Sequence, residues 1–446
     1  MKKFKTNRII IYTISCSFLL FKLSMLNAQN PVIMDQFTAD PTARVFDNRV
    51  YLYPSHDVYC NINWFCMKDY HVFSTENLVD WTDHGMIINQ EDVEWVNAKT
   101  NSMWAPDCYE KNGKYYFYFP AIADTSKGLF GMRIGVAVSD NPYGPFTPDP
   151  MPIEGISGID PNIFEDINGE VYIYWAGRGK LMGAKLKDNM RELQSEPVII
   201  DTLPQGGGLK EGPFLFERKG VYYFTYPWVI DKTEALVYCM GDNPLGPFEY
   251  KGIIMDEHAS GCWTNHHSVI NFKGQWYLFY HNNDLSPDFD KNRSARADSL
   301  FFNADGTIQK VVPTLRGIGV TKATSKIQVD RYSYISSEGA SVEFLDTTNT
   351  FDGWKTVLSE KGASISYNAV DFGNNKTKKV NMRVKAISNC IINLQTGGSN
   401  NELSIPLSNN WEVVQLKVND IPKGIHNINL TLKTAGEIQI DWIQFE

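Results

Sequence analysis

Hydrophobic and aromatic residues recur in one arrangement five times between residues 35 and 285. Each unit begins with a single residue before a short apolar stretch, passes through a turn containing Asn or Gly, and continues into a second stretch rich in Tyr, Phe and Trp. Strand–turn–strand units with a period near fifty residues are typical of propeller blades. The leading residues lie 11 or 12 positions before a tyrosine of the second stretch: Asp40, Ala105, Asp160, Glu211 and His266.

A five-bladed β-propeller is therefore the predicted fold of residues 30–322. One blade cannot bury both faces of its sheet, so neighbouring blades must stack around an axis. The segment DNPYGPF at 140–146 recurs as DNPLGPF at 242–248, which supports the repeat. Because the innermost strands line the central funnel, the five leading residues are expected to converge there. Five unrelated hairpins in a sandwich are the alternative, which the constant offset disfavours.

Beyond Val320 the aromatic repeat stops, and apolar residues alternate with polar ones. A period of two predicts antiparallel strands with one buried face, hence a β-sandwich (jelly roll) over 326–446. Residues 321–326 are expected to be a linker. The whole chain is thus predicted to be all-β. The alternating positions include Val414, Leu416, Val418, Ile428, Leu430, Leu432, Ile438, Ile440 and Trp442.

Residues 1–28 are predicted to be a secretory signal peptide. A basic head at 1–8 precedes a mostly apolar run at 9–26, and Ala28 marks a cleavage site. An uncleaved membrane anchor is the alternative, because the run is near spanning length. We expect a mature chain without a membrane span, exported to the periplasm or the extracellular space. Export permits disulfides, and Cys60–Cys66 would close a loop, although the six cysteines that follow the signal peptide allow fifteen pairings.

The composition and net charge exclude some classes of protein. A hydrophobic content of 43% excludes general disorder, and 13% aromatic residues suit β-rich folds and sugar-stacking surfaces without proving either. The formal net charge is −9, and no basic stripe is present, so a nucleic-acid partner is not expected.

Three of the five leading residues are carboxylic acids, which are costly to bury unless they are paired or hydrogen-bonded. Crowding separates the pKa values of such acids, so that one is protonated while another is ionised. Glycosidic bond cleavage needs this division between a general acid and a general base, about 6.5–9.5 Å apart in inverting enzymes. Asp-Pro at 40–41 and 160–161 is also a common turn signal, and a Glu211–Lys210 ion pair is the structural alternative.

The repeat region resembles glycoside hydrolase family 43. The resemblance implies that Asp40 is the general base, Glu211 the general acid, and Asp160 the residue that orients Glu211 and adjusts its pKa. It rests on five segments: ADPTARVFDNRVYLYPSHD (39–57), MWAPDCYEKNGKYYFYF (103–119), GIDPNIFEDINGEVYIYW (158–175), LKEGPFLFERKGVYYFTY (209–226) and NHHSVINFKGQWYLFYH (265–281).

The same resemblance implies further site residues. His266 matches a histidine near the funnel axis that is associated with calcium, Arg293 an arginine that holds sugar hydroxyls, and Trp104 an aromatic wall of the sugar pocket. Core or surface roles are the alternatives for all three. Ser55-His56-Asp57 has the letters of a hydrolase triad, but consecutive strand residues alternate faces, so we do not expect a triad.

The carboxyl-terminal region is similar to carbohydrate-binding module family 6, in KIQVDRYS (326–333), SISYNAVDFG (364–373) and IQIDWIQF (438–445). The resemblance implies Trp354 and Tyr332 as sugar-stacking residues and Asp441 as a ligand of a structural calcium ion. Val329-Asp330 stands where this family usually has Ala-Glu. A domain that only braces the propeller is the alternative.

These observations predict an exported, inverting glycoside hydrolase without an organic cofactor. Its expected substrates are oligo- or polysaccharides of the plant cell wall, such as arabinoxylan, from which it would release α-L-arabinofuranosyl or β-D-xylosyl residues. Endo-arabinanase, exo-galactanase and a retaining fructan-cleaving propeller are enzyme alternatives. A non-catalytic glycan-binding propeller is the alternative from another class.

Overall fold

The computed structural model describes residues 30–200, 204, 207–349, 352–374 and 376–446. The predicted signal peptide lies outside these residues. Two short 3₁₀ helices, Gln90–Asp92 and Thr125–Lys127, are the helical segments of the described chain, and strands form the rest of its regular structure. None of the described helices has the length and apolar character needed to cross a bilayer.

Five antiparallel sheets follow one another in chain order and confirm the predicted five-bladed propeller. Blades 1 to 4 have four strands each, and blade 5 has three named strands. Blade 1 comprises β1 (Thr38–Phe46), β2 (Arg49–Asp57), β3 (Met67–Thr75) and β4 (Thr82–Asn89); blade 2, β5 (Asp107–Lys111), β6 (Lys114–Ile122), β7 (Met132–Ser139) and β8 (Thr147–Pro148); blade 3, β9 (Ile159–Glu165), β10 (Val171–Gly177), β11 (Lys180–Leu186) and β12 (Val198–Ile199); blade 4, β13 (Phe214–Arg218), β14 (Val221–Val229), β15 (Glu234–Gly241) and β16 (Phe248–Met255); blade 5, β17 (His267–Phe272), β18 (Gln275–Asn282) and β19 (Ser294–Leu300).

The start of the described chain closes the ring. The Val32 amide donates to the Ala295 carbonyl at 2.9 Å, so residues 30–32 run beside β19 at the open edge of blade 5. The Asn30 side chain donates to the Ala297 carbonyl and accepts from the Ala297 amide at 3.1 and 2.9 Å. The last blade is thus completed by residues from the beginning of the propeller.

Apolar cores fill the spaces between neighbouring blades, which explains the aromatic strands of the repeat. Tyr53 and Phe117 are buried between blades 1 and 2, and Tyr174 and Phe224 between blades 3 and 4. Each such side chain contributes roughly 1.5–3 kcal/mol by its burial. The hydroxyls of the two tyrosines donate to Pro142 and Pro244 carbonyls, in the repeated DNPxGPF turns of the next blade.

Two packed sheets form the carboxyl-terminal domain and confirm the predicted β-sandwich. One sheet has the order β20-β25-β30-β27-β28 with β22 beside β25, and the other has the order β23-β24-β31-β26-β29 with β21 beside β31. The strands are β20 (Thr321–Lys322), β21 (Ile327–Gln328), β22 (Tyr334–Ile335), β23 (Ala340–Phe344), β24 (Trp354–Leu358), β25 (Ser364–Asp371), β26 (Lys379–Ala386), β27 (Cys390–Thr396), β28 (Ser399–Ile405), β29 (Ser408–Lys417), β30 (Ile425–Leu432) and β31 (Ile438–Phe445).

A buried arginine, Arg316, joins the end of the propeller to the sandwich. Its guanidinium donates to the Asn368 carbonyl at 3.1 Å and to the Gly319 carbonyl at 2.7 Å, and it lies 4.7 Å from the Tyr367 ring centroid. Its amide donates to the Tyr332 carbonyl. Charge-assisted hydrogen bonds in a buried setting make this an anchored connection.

Candidate active site

The backbone aims the leading residues into the funnel by interrupting the innermost strands. The pairing of β1 with β2 shifts register between Ala39 and Thr42, and Asp40 between them has φ of 46°. The same irregularity recurs in β9 at Asp160, where φ is 59°. Such bulges re-aim side chains next to active sites, and aspartate is among the non-glycine residues that tolerate this conformation.

In blade 4 the equivalent position is held by Gly212, with φ of 52°, and not by Glu211. The registers Thr42↔Tyr53 and Phe214↔Thr225 make the two Xaa-Pro steps equivalent, so Glu211 lies one residue earlier than the repeat suggests. A β-carbon at Gly212 would lie 3.0 Å from His266 Nδ1 and closer still to Pro227, so glycine permits this close approach.

Asp40 is a buried and ionised carboxylate. It accepts hydrogen bonds from Arg293 Nη1 at 2.8 Å and from the Ser55 hydroxyl at 2.7 Å, and its amide donates to His281 Nδ1 at 2.9 Å. Burial opposes ionisation, but the positive charge of Arg293, together with His281, His266 and Ser55, outweighs it and lowers the pKa of Asp40 to about 2. A carboxylate of this kind is ready to accept a proton from water at neutral pH.

The surroundings of Asp160 and Glu211 instead favour the protonated, uncharged form of both acids. Asp160 Oδ2 accepts a hydrogen bond of 2.9 Å from the amide of Gly212, the residue that follows Glu211. Burial and the nearby Glu211 carboxyl raise the pKa of Asp160 well above its usual range. Burial and the adjacent Glu234 likewise raise the pKa of Glu211. The arrangement therefore separates an ionised acid from a protonated one.

Glu234, a fully buried residue at the start of β15, was not singled out from the sequence. Its Oε2 accepts a hydrogen bond of 2.8 Å from the Asn265 amide, whereas its buried Oε1 has no hydrogen-bond partner in the described part of the chain. The nearby Glu234 carboxyl adds to burial in raising the pKa of Glu211, so the two acids favour a proton between them. Burial raises the pKa of Glu234 to about 7, so this pair stores a proton at the funnel.

Arg293 lies at the site, where it contacts protein acceptors. Nε and Nη2 donate to the two oxygens of Asp57 at 2.9 Å, and Nη1 donates to Asp40 and to the Thr264 hydroxyl. Nη2 also lies 3.4 Å from Asp40 Oδ2. An arginine has five N–H donors, and these contacts engage all of them. The structure thus makes Arg293 the partner of the Asp40 carboxylate, and its expected role in holding sugar hydroxyls stays a prediction.

The side chains of Ser55, His56 and Asp57 point to two different faces of β2, because successive residues of a strand alternate between faces. Ser55 contacts Asp40 and Asp57 contacts Arg293, whereas His56 Nδ1 lies 2.6 Å from Asp69 on the other face. Ser55 and Asp57 are therefore residues of the candidate site that hold Asp40 and Arg293, although the three residues are not a triad.

The histidines of blade 5 have different surroundings. His266 is buried near Gly212, and its burial lowers its pKa. The adjacent His267 faces the core, with Nε2 2.6 Å from the Thr225 hydroxyl. His281, which the sequence did not single out, accepts the Asp40 amide proton and therefore holds the bulge of β1.

Aromatic residues form one wall of the funnel mouth. Trp104 is half-buried, its carbonyl accepts from the Tyr70 hydroxyl at 2.6 Å, and its buried indole Nε1 has no partner in the described part of the chain. Phe65 lies between Trp104 and Trp263, with ring centroids 6.3 Å from each. Arg293 Cζ is 4.6 Å from the Phe65 ring, so this wall is adjacent to the arginine that holds Asp40.

The predicted module residues are spread over the sandwich domain. Trp354 is 38% exposed and stacks on Phe344 with centroids 4.1 Å apart. Tyr332 is partly buried against the sandwich core. Asp441 forms an ion pair with Arg383. The sugar-binding and calcium roles of these residues stay predictions.

Calcium takes six to eight oxygen ligands, which can be carboxylate, amide, backbone or water oxygens. Among the described residues, the histidine and carboxylate atoms close enough together to hold an ion belong to His56, Asp69 and His71. Neither His266 nor Asp441 is in that group, and Asp441 is already paired with an arginine. Near Asp441, one end of the Gln328 amide lies 3.3 Å from Asp441 Oδ1 and 3.2 Å from the Asp441 carbonyl oxygen, and the buried Asp330 Oδ1 has no hydrogen-bond partner in the described chain. Calcium at the funnel axis or in the sandwich stays a prediction.

A propeller funnel that holds one ionised carboxylate beside protonated carboxyl groups is the site of a glycoside hydrolase. The model of Glycosyl hydrolases family 43 matches residues 28–308, and that of Carbohydrate binding module (family 6) matches residues 332–446. The chain belongs to glycosyl hydrolase family 43 and carries a family 6 module, which confirms both resemblances.

Similar proteins agree with this assignment. Xylosidase/arabinosidase 43A of Humicola insolens is 38% identical over 330 residues, which cover 62% of this chain and 98% of that protein. A xylosidase/arabinosidase of Bacteroides ovatus is 35% identical and covers 62% and 95% of the two chains. The crystal structure of a GH43 β-xylosidase/α-arabinofuranosidase from a compost metagenome, in complex with xylotriose, is 34% identical, has a TM-score of 0.58, and covers 64% of this chain and 97% of that one.

Proposed function

We propose that this hydrolase is an exported, inverting enzyme that releases terminal or side-chain α-L-arabinofuranosyl or β-D-xylosyl residues from arabinoxylan-type polysaccharides. The pentose specificity is supported by the activities of the similar proteins, and export by the predicted signal peptide. The observation that carries the mechanism is the contrast between Asp40, ionised beside Arg293, and Glu211, protonated beside Glu234.

The proposed reaction uses these two states in a single displacement. Asp40 takes a proton from a water molecule, and the resulting hydroxide attacks the anomeric carbon. Glu211 gives its proton to the glycosidic oxygen as the bond to the leaving sugar breaks. Attack and departure occur on opposite faces of the sugar, so the anomeric configuration inverts. Asp160 accepts a hydrogen bond from the Gly212 amide and so fixes the backbone beside Glu211.

Activity assays test the proposal. The purified mature chain is incubated with 4-nitrophenyl α-L-arabinofuranoside, 4-nitrophenyl β-D-xyloside and arabinoxylan, beside Asp40→Asn and Glu211→Gln. We expect each substitution to lower kcat by about 10²–10⁴-fold, the usual contribution of general acid–base catalysis. Asp140→Asn is the matched control, because Asp140 is an exposed residue of the DNPYGPF turn that pairs with Lys114.

Proton NMR of the first sugar released tests inversion, since the product anomer is visible before mutarotation. Turnover that persists in both acid variants would contradict the assigned roles, and a product of retained configuration would contradict the mechanism. A wild-type chain that binds arabinoxylan without turning over any pentoside would favour a non-catalytic glycan-binding protein.

Calcium binding stays a prediction. It is tested by adding calcium to protein treated with a chelator and measuring activity and melting temperature.

A further inference from the structure

The loop between β2 and β3, residues 58–66, stands at the mouth of the funnel. The end of β2 fixes its position, because Ser55 donates to Asp40 and Asp57 accepts from Arg293. Within the loop, Cys60 and Cys66 form a disulfide, and the Val58 amide donates to the Cys66 carbonyl at 2.9 Å. A disulfide restricts the conformations of the loop that it closes.

This closed loop exposes large aromatic side chains. Trp64 is 50% exposed and Tyr59 is 69% exposed. The Trp64 ring contacts Phe65 and Trp263, with centroid distances of 5.3 and 6.4 Å, and the Tyr59 ring meets Phe289 edge-on at 5.8 Å. Apolar side chains exposed together on a fixed support are typical of binding surfaces.

The exposed rings continue the wall of the catalytic funnel. Phe65 packs against Trp64 on one side, and the Arg293 guanidinium lies 4.6 Å from its ring. Arg293 in turn holds Asp40. An uninterrupted series of contacts therefore leads from the general base to the surface at Trp64.

The charge of this surface favours a neutral ligand. Lys291 lies over the Phe65 and Trp263 rings at 5.4 and 5.8 Å, and its ammonium is paired with the Asp290 carboxylate. Rings flanked by a neutralised ion pair suit a pyranose, whose faces carry C–H groups while its hydroxyls point outward to polar groups and water.

We propose that Trp64 and Tyr59 form a stacking platform for neutral pentopyranose units of the polysaccharide chain beyond the sugar that is cleaved. The platform makes the enzyme favour polymeric and oligomeric substrates over small glycosides. This inference rests on the proposed function, because it places the leaving part of the substrate outside the funnel that contains Asp40 and Glu211.

The test compares two substrates in Trp64→Ala and in a matched control, Tyr143→Ala. Tyr143 is 44% exposed and stacks on His84, and it lies in the DNPYGPF turn. We expect Trp64→Ala to lower kcat/KM on arabinoxylan and xylotriose by about tenfold, the effect of losing one stacked ring, and to change kcat/KM on the 4-nitrophenyl pentosides less than twofold. Equal losses on both substrate types, or no loss on either, would overturn the proposal.

A binding measurement separates this proposal from the proposed function. Calorimetry of xylotetraose binding to Glu211→Gln, with and without Trp64→Ala, needs no turnover. Trp354→Ala in the same background accounts for binding by the sandwich domain. A binding constant weakened about tenfold by Trp64→Ala supports the platform even if the pentoside assays fail, whereas unchanged binding would rule it out even if they succeed. Replacing both Cys60 and Cys66 by serine should weaken xylotetraose binding in the same direction, because the loop loses its constraint.

Discussion

Arg293 and Asp40 are 253 positions apart in the sequence, yet Nη1 of the guanidinium lies 2.8 Å from Oδ1 of the carboxylate. Asp57 holds the same guanidinium from its other side, with both oxygens at 2.9 Å. The three buried groups form a carboxylate–guanidinium–carboxylate unit whose geometry needs a planar, forked cation. Asp40 consequently remains ionised although it is surrounded by protein.

Arg293→Lys should impair the enzyme most at low pH. An ammonium cannot reproduce the forked contacts with both carboxylates, so the pKa of Asp40 rises from its value of about 2. A general base acts only when deprotonated, so the acid limb of the kcat/KM profile should move up by about 1–2 pH units. The measurement is kcat/KM on a 4-nitrophenyl pentoside between pH 3 and 9. An acid limb that stays in place would show that Arg293 does not set the ionisation of the base.

Glu234→Gln should impair the enzyme most at high pH. The amide keeps the size of the side chain but removes the negative charge that disfavours ionisation of Glu211, so the pKa of Glu211 falls. A general acid acts only when protonated, so the basic limb should move down by about one pH unit.

Glu257→Gln is the control for this change, because Glu257 accepts from the amides of Asp231, Lys232 and Thr233 directly before Glu234. The Glu257→Gln substitution weakens the same loop but leaves the Glu211 and Glu234 side chains unchanged. If both variants shift the basic limb equally, Glu234 acts only through the loop.

Glu211→Gln should depend on the leaving group. Protonation of the glycosidic oxygen matters little when the leaving phenol is already acidic, so a dinitrophenyl pentoside should retain much more activity than a 4-nitrophenyl pentoside or xylotriose. We expect the loss of kcat to be at least tenfold smaller on the dinitrophenyl substrate. Equal losses on the three substrates would assign proton donation to another residue.

Arg316→Ala should destabilise the chain by about 3 kcal/mol, because the charge-assisted hydrogen bonds to the Asn368, Ile318 and Gly319 carbonyls are lost in a buried setting. Urea unfolding measures this free energy. Arg191→Ala is the comparison, since Arg191 is exposed and lies 3.3 Å from the partly exposed Asp149, and exposed pairs contribute about 0–1 kcal/mol. Similar losses in the two variants would refute the anchoring role of Arg316.

The repeat predicted the fold because each blade buries aromatic residues against the next, and this requirement is visible in the sequence. The repeat also predicted which acids lie close together. It placed Glu211 at the position that Gly212 occupies, because the number of residues between an acid and the next tyrosine does not show where a bulge shifts the strand register. Asp40 and Asp160 were accessible to prediction because each precedes a proline in a recurring context.

Glu234 carries no such signal. It begins the third strand of its blade, outside the repeated positions, and its role depends on the path of the Asn265 backbone. The same limit applies to Arg293, whose partners Asp57 and Thr264 depend on contacts across the ring. Residues whose function comes from a neighbouring blade are found only from the assembled structure.

The pairing of residues 30–32 with β19 also constrains how the chain can be made. During synthesis this leading segment emerges roughly 260 residues before its partner strand, so its backbone groups must stay solvated or be shielded until nearly the whole toroid has been translated. Truncations for recombinant expression should therefore preserve Asn30, since deleting it would leave the final blade with an unprotected edge.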